Sequence, residues 1–239
     1  GAWTDDTSMA LCLATSLVEK GGFDARDQME RYVRWYQEGY LSSIGRCFDI
    51  GNATRAALAR FERSGDPFSG SDDPYSAGNG SIMRLSPVVM YYAGDPQAAL
   101  AYAVESSRTT HAAPECLDAC RLLAAILLAA LAGADKQTVL FGPHPPLASG
   151  PALSTKVQAI ADGSYRDKEM GEIRGSGYVV QSLEAALWCF WRTDSFRAAI
   201  LLAANLGDDA DTTAAVCGQV AGAFYGQSGI PGHWLKKLV

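Results

Sequence analysis

The stretch Pro114-Glu115-Cys116-Leu117-Asp118-Ala119-Cys120-Arg121-Leu122-Leu123-Ala124-Ala125-Ile126-Leu127-Leu128-Ala129-Ala130-Leu131-Ala132 decides the fold class. Proline suits a first helical turn, where its missing N–H is not needed. Glu115, Asp118 and Arg121 supply polarity early, and everything after Arg121 is apolar. A helix apolar all round is buried on most sides, so other helices must surround it. Its apolar run, 122–132, is well short of the ~20 residues that span a membrane.

Working outward, apolar residues recur at helical spacing over 7–20, stopped by Gly21-Gly22. The spacing continues over 27–40, where Met29, Tyr32, Val33 and Tyr36 share a face, and over 52–63, 81–93 and 96–107. Residues 141–151 hold Pro143, Pro145, Pro146 and Pro151 and read as an irregular loop. Helical patterns resume over 152–160, 179–191, 196–204 and 212–225. No run alternates as a strand requires, and Tyr178-Val179-Val180 is too brief to build a sheet. The expected fold is all-α, a compact multi-helix orthogonal bundle forming one domain over 1–239.

Composition narrows the function. The chain carries 20 Lys+Arg against 26 Asp+Glu, a net charge of −6, and 48% of its residues are hydrophobic. It is too apolar to be disordered and not basic enough to suggest nucleic acid as its main partner. The six cysteines form no C-x-x-C pair, and most lie in apolar stretches. They read as buried free thiols in a reducing compartment, and with no signal peptide visible the expected location is the cytoplasm. Three histidines and no cysteine pair argue against zinc.

Two acidic segments stand out, Trp3-Thr4-Asp5-Asp6-Thr7 and Gly207-Asp208-Asp209-Ala210-Asp211-Thr212-Thr213, each just before an apolar helix. One Asp at a helix start is an ordinary cap. Capping uses one side chain, however, and these segments offer five carboxylates with no Lys or Arg of their own. Such charges repel unless a cation lies among them, and carboxylate and hydroxyl oxygens suit Mg²⁺, Mn²⁺ or Ca²⁺. A hard-cation site is the favoured reading of the pair.

Three further motifs are polar islands. Ser76-Ala77-Gly78-Asn79-Gly80-Ser81-Ile82-Met83-Arg84 is either a turn and a cap or an anion-binding backbone nest. His111 ends the polar run Ser106-Ser107-Arg108-Thr109-Thr110. Gly175-Ser176-Gly177-Tyr178 is either a flexible loop or one that lays Tyr178 against an aromatic ligand. Nothing raises His144 or His233 above structural roles.

Taken in order, Trp-Thr-Asp-Asp-Thr-Ser-Met (3–9), Gly-Asn-Gly-Ser-Ile-Met-Arg (78–84), Thr-His (110–111), Gly-Ser-Gly-Tyr-Val-Val-Gln-Ser-Leu (175–183) and Gly-Asp-Asp-Ala-Asp-Thr-Thr-Ala-Ala (207–215) resemble the ADP-ribosylglycohydrolase family, which includes dinitrogenase reductase-activating glycohydrolase and the J-type crystallins. The resemblance spans the chain. It implies an all-α fold, a binuclear Mg²⁺ or Mn²⁺ centre, and hydrolysis of the glycosidic bond between ADP-ribose and a modified Arg or Ser side chain, or a related conjugate. By motif position it assigns Thr4, Asp5, Asp6, Asp209, Asp211 and Thr212 to the metal. Asn79, Gly80, Ser81 and Met83 fall beside the ribose and phosphates, His111 near the distal part of the ligand, and Tyr178 near the adenine, with Gly175 and Gly177 among the substrate-binding residues. Asp6 or Asp209 would orient or deprotonate the attacking water. Family members open with a helix bearing a Gly-Asp-Ala-like motif that has no match here, so the expected domain lacks that helix. Asp208 stands where the family pattern has Gly, and Ala210 where Thr is common. The competing reading is a non-catalytic relative that binds ADP-ribose or is structural, as the crystallins are. A weaker one is another metal hydrolase on a helical scaffold.

Overall fold

The computed structural model describes residues 1–238. Its first half contains α1 (Asp5–Lys20), α2 (Ala25–Glu38), α3 (Asn52–Ser64), α4 (Ser86–Tyr91) and α5 (Pro96–Arg108). The second half contains α6 (Pro114–Leu131), α7 (Lys136–Phe141), α8 (Pro145–Ala148), α9 (Thr155–Ala161), α10 (Val179–Trp191), α11 (Phe196–Asn205), α12 (Ala210–Tyr225) and α13 (Gly232–Leu235). Among the described residues, strand pairing is limited to two isolated bridges, Ser71 with His111 and Gly78 with Tyr178. The fold is all-α, and no helix among these residues is long and apolar enough to cross a membrane.

The deciding stretch is the centre of the molecule. In α6, Leu122 to Leu127 are all buried, and the helix packs against α5, α10 and α12, with α4, α7 and α9 beside it. Ala119, Ala124, Ala125 and Ala130 are among the buried residues of α6, and alanine loses no side-chain entropy on packing. Arg121 is buried among the apolar residues because Asp118 pairs with it at 3.2 Å and the Pro151 carbonyl accepts from it at 2.8 Å. The expected stop after 7–20 is present: Gly21 is left-handed (φ 68°) and its N–H bonds back to Leu17.

Two expectations are corrected. The helix expected over 81–93 begins only at Ser86. The Asn79 carbonyl accepts from both Ile82 and Met83, so the chain turns tightly before it can enter a helix. The proline-rich loop contains the short α8, with prolines in its first turn, the one place where a helix tolerates them. All six cysteines are free, and all but Cys47 are buried, as expected.

Loops at one end of the bundle are tied together. Asn79 N–H donates to the Gly177 carbonyl (3.0 Å) and Val179 N–H to the Ala77 carbonyl (3.0 Å). Asp209 N–H donates to the Gly175 carbonyl (2.8 Å), and Ala112 N–H to Ser71 (3.0 Å). Segments distant in sequence thereby form one rigid rim.

Candidate active site

The N-termini of α1 and α12 meet at this rim. Oxygens of Asp5, Asp6 and Asp211 all lie within 4.8 Å of one another. Capping does not explain them. Asp24, Asp95, Asp135 and Ser195 each accept a backbone N–H at the start of their helices, as caps do. Thr4 and Asp209 occupy the equivalent positions of α1 and α12, and neither side chain caps its helix. The Thr4 hydroxyl instead donates to Asp6 Oδ2 (2.5 Å), and Asp209 Oδ2 accepts from Asn79 Nδ2 (2.8 Å). Asn79 also donates to Ser182 Oγ (3.2 Å), which fixes its amide.

The electrostatics are those of crowded, partly desolvated carboxylates. Burial, and then the charges of Asp6, Asp49 and Asp211, push the Asp5 carboxyl up to about 8. Burial raises Asp6 to about 6, opposed by the Thr4 hydroxyl. Asp209 is raised by burial and held down by Asn79 and Thr212. Asp6, only 3% exposed, leaves Oδ1 with no hydrogen-bond partner. A buried carboxylate oxygen without a donor is costly. An acceptor-only cluster with one orphaned oxygen fits a hard divalent cation, the partner that would satisfy it.

A cavity of about 530 Å³ opens over the cluster. Asp5, Asp49, Asp208, Asp209 and Asp211 give its lining an acidic character, and Gly78, Asn79, Gly80, Met83 and His111 line it as well. His111 is buried and held neutral, its pKa lowered to about 3 by burial and by the Arg84 charge. A Cβ on Gly80 would stand 2.7 Å from His111 Cε1, so only glycine lets the loop lie against that ring.

A second hollow of about 850 Å³ adjoins the first, sharing Asn52, Ala53, Gly78 and Gly177 with it. Tyr178 lines it, its hydroxyl donating to Glu115 (2.5 Å) and accepting from Lys156 (2.7 Å). Tyr75, 99% exposed, lines it as well.

Most of the residues singled out from the sequence line the cavity, with Tyr178 in the adjoining hollow; Thr4, Asp6, Ser81 and Gly175 are not among its lining, though Asp6 belongs to the carboxylate cluster and Thr4 donates to it. Ser81 is buried away from the cavity. Gly175 holds Asp209 through its carbonyl and lies against Thr213, where a Cβ would come within 2.7 Å of the hydroxyl. Asp49 was missed. It has φ +60° in the turn before α3, and Asn52 and Thr54 follow it into the cavity wall. Asp208 has a left-handed backbone (φ 53°), a conformation that glycine adopts without strain.

The family model described as ADP-ribosylglycohydrolase matches residues 1–239. The chain is 50% identical to ADP-ribosylarginine hydrolase Tri1 of Pseudomonas putida (strain GB-1), covering all of this chain and 62% of that protein. It is 47% identical to Tri1 of Serratia proteamaculans (strain 568), covering 64% of it, so the chain spans a little under two thirds of either relative. It is 30% identical to the ADP-ribosyl-[dinitrogen reductase] glycohydrolase of Rhodospirillum rubrum, covering 100% of this chain and 74% of that one. A solved "ADP-ribosylglycohydrolase-related protein complex" contains a chain with a TM-score of 0.85 and 44% identity over 99% of this chain and 76% of its own. The chain belongs to the ADP-ribosylglycohydrolase family.

Proposed function

We propose that the chain hydrolyses the glycosidic bond joining ADP-ribose to an arginine side chain of a modified protein. The observation that carries this reading is the uncapped, mutually close triad Asp5, Asp6 and Asp211 at the base of a cavity large enough for a nucleotide-sized ligand. The preference for arginine over serine is supported by the two relatives named as ADP-ribosylarginine hydrolases. It is also supported by charge, since Asp49 and Asp208 on the cavity wall suit a guanidinium leaving group.

Asp5, Asp6 and Asp211, with Thr4, Asp209 and Thr212, would hold two divalent cations, Mg²⁺ or Mn²⁺. Such ions supply Lewis acidity toward ribose hydroxyls and lower the pKa of water. The chain's own residues do the rest. Breaking the bond builds oxocarbenium character at the anomeric carbon, and the acidic wall stabilises that charge. Asp6 or Asp209 orients the attacking water and accepts its proton. Asn79 fixes the Asp209 carboxylate by donating to its Oδ2. The Gly78-Asn79-Gly80 segment and His111 line the same cavity and would contact the ligand there, and Tyr178 would offer an aromatic surface in the adjoining hollow for the base. Six free cysteines support a reducing compartment, which we take to be the cytoplasm.

Calorimetric titration with ADP-ribose in the presence of Mn²⁺, paired with a turnover assay of the wild type and Asp209→Ala, tests this. Binding together with turnover that Asp209→Ala abolishes is the expected result. Binding without wild-type turnover would make the chain a non-catalytic ADP-ribose-binding relative.

A further inference from the structure

Arg84 is 0% exposed, and no ion pair among the described residues includes it. A buried cation without a counter-ion must be held by other acceptors. Its guanidinium donates to the Gly80 carbonyl, to the Ser106 carbonyl (3.2 Å) and to the hydroxyls of Thr109 (3.4 Å) and Thr110 (2.6 Å), and it lies 5.0 Å from the Tyr32 ring centre. The Thr110 hydroxyl is in turn 2.8 Å from His111 Nδ1.

This chain of contacts has a direction. A guanidinium only donates, so Thr110 Oγ1 accepts from Arg84. The buried Thr110 hydroxyl proton then has one acceptor within reach among the described residues, His111 Nδ1. With the proton on Nδ1 instead, two donors would converge on Oγ1 and the hydroxyl proton would have no acceptor. The Arg84 charge polarises the hydroxyl in the same sense, making it a stronger donor. The ring backbone is pinned as well, since the Ser107 hydroxyl donates to the His111 carbonyl (2.7 Å) and His111 N–H to the Ser107 carbonyl (2.7 Å). Nε2 lies on the cavity side, where a Cβ on Gly78 would come within 3.2 Å of it and one on Gly80 within 3.1 Å.

We propose that Arg84, acting through the Thr110 hydroxyl, holds His111 in the tautomer that carries its proton on Nε2, so that the cavity presents a fixed, neutral N–H donor to an oxygen of the bound ligand. The opposite tautomer would aim a lone pair at that oxygen in a cavity already crowded with carboxylates. Arg84 and Thr110 are thus positioning residues for His111. The identity of the oxygen rests on reading the cavity as an ADP-ribose site, and the tautomer itself does not.

The test is ring ¹⁵N spectroscopy of the three histidines, with the His111 signals assigned from His111→Gln, together with ADP-ribose titration. Wild type is expected to show Nε2 protonated and Nδ1 bare throughout roughly pH 5–8. Thr110→Val is expected to mix or reverse the tautomers and weaken ADP-ribose binding roughly three- to tenfold, and Thr110→Ser to restore both. A wild-type ring protonated on Nδ1, or a Thr110→Val spectrum identical to wild type, overturns the proposal. The wild-type spectrum decides the tautomer even where Thr110→Val does not fold, and Thr110→Ala then serves as the hydroxyl-free variant. Loss of the Nε2–H tautomer in Thr110→Val, where the wild type itself fails to bind ADP-ribose, supports the positioning role and rejects the ligand instead.

Discussion

Replacing Asp5 by Asn separates a cation site from a helix cap by the sign of a stability change. In the cation-free chain the Asp5 carboxyl is raised from 3.8 to about 8. A carboxyl with a raised folded pKa binds its proton more tightly in the fold than in the unfolded chain. Stability is therefore full at low pH and falls as pH rises from about 4 through about 8. At neutral pH about three of the four units are realised, and at ~1.36 kcal/mol per unit the ceiling is about 4 kcal/mol. Solvent entering the open cavity and local relaxation lower this, and half the ceiling is about 2 kcal/mol. Asn keeps the shape without the charge, so Asp5→Asn is expected to stabilise the EDTA-treated protein at neutral pH by about that much. For a chain of this size, ~1 kcal/mol moves Tm by about 2–4 °C, so the gain reads as about 4–8 °C in a thermal melt. The same variant is expected to lose the stabilisation that Mg²⁺ or Mn²⁺ gives the wild type. If Asp5 merely favours the positive end of α1, Asp5→Asn instead lowers Tm slightly, by the ~0.3–1 kcal/mol of a dipole contact. That outcome would refute the reasoning.

Other consequences are as direct. Cation affinity is expected to rise between about pH 6 and pH 8, because the raised Asp5 and Asp6 carboxyls must lose protons to bind it; calorimetry in buffers of different ionisation enthalpy detects the released protons, and pH-independent affinity without release would count against it. Gly80→Ala is expected to push the loop off His111 and cost at least about tenfold in ADP-ribose affinity, ~1.4 kcal/mol, and to lower Tm as well, because the Gly80 carbonyl helps hold the buried Arg84. Tyr178→Ala is expected to weaken ADP-ribose binding while leaving cation binding intact, since Tyr178 lines the second hollow and not the acidic cavity. Leu123→Ala, at a fully buried position of α6, is expected to destabilise by ~2–5 kcal/mol without altering the cavity.

The helices were legible where one physical signal dominates. The all-apolar second half of α6 could only be a buried helix, and Gly21 could only stop α1. The shortening of α4 was hidden because it depends on the Asn79 carbonyl accepting two backbone donors, a contact that apolar spacing does not encode. α8 was hidden because proline count outweighs position unless the first turn is recognised. In the site, the acidic motifs announced themselves by unpaired charge. Asp49 did not, because a lone carboxylate before a helix looks like any other cap until the fold brings it to Asp5. Gly175 and Ser81 looked like ligand contacts because their motifs are continuous with residues that do line the cavity; their positions depend on Thr213 and on core packing.

The most direct measurement is release of free ADP-ribose from ADP-ribosylated arginine and serine peptides, followed chromatographically with Mg²⁺, with Mn²⁺ and after EDTA. The expected result is release from the arginine peptide with either cation, lost in EDTA and lost in Asp209→Ala. No release from either peptide under either cation would contradict the proposed hydrolysis, and release undiminished by EDTA would contradict the role given to Asp5, Asp6 and Asp211.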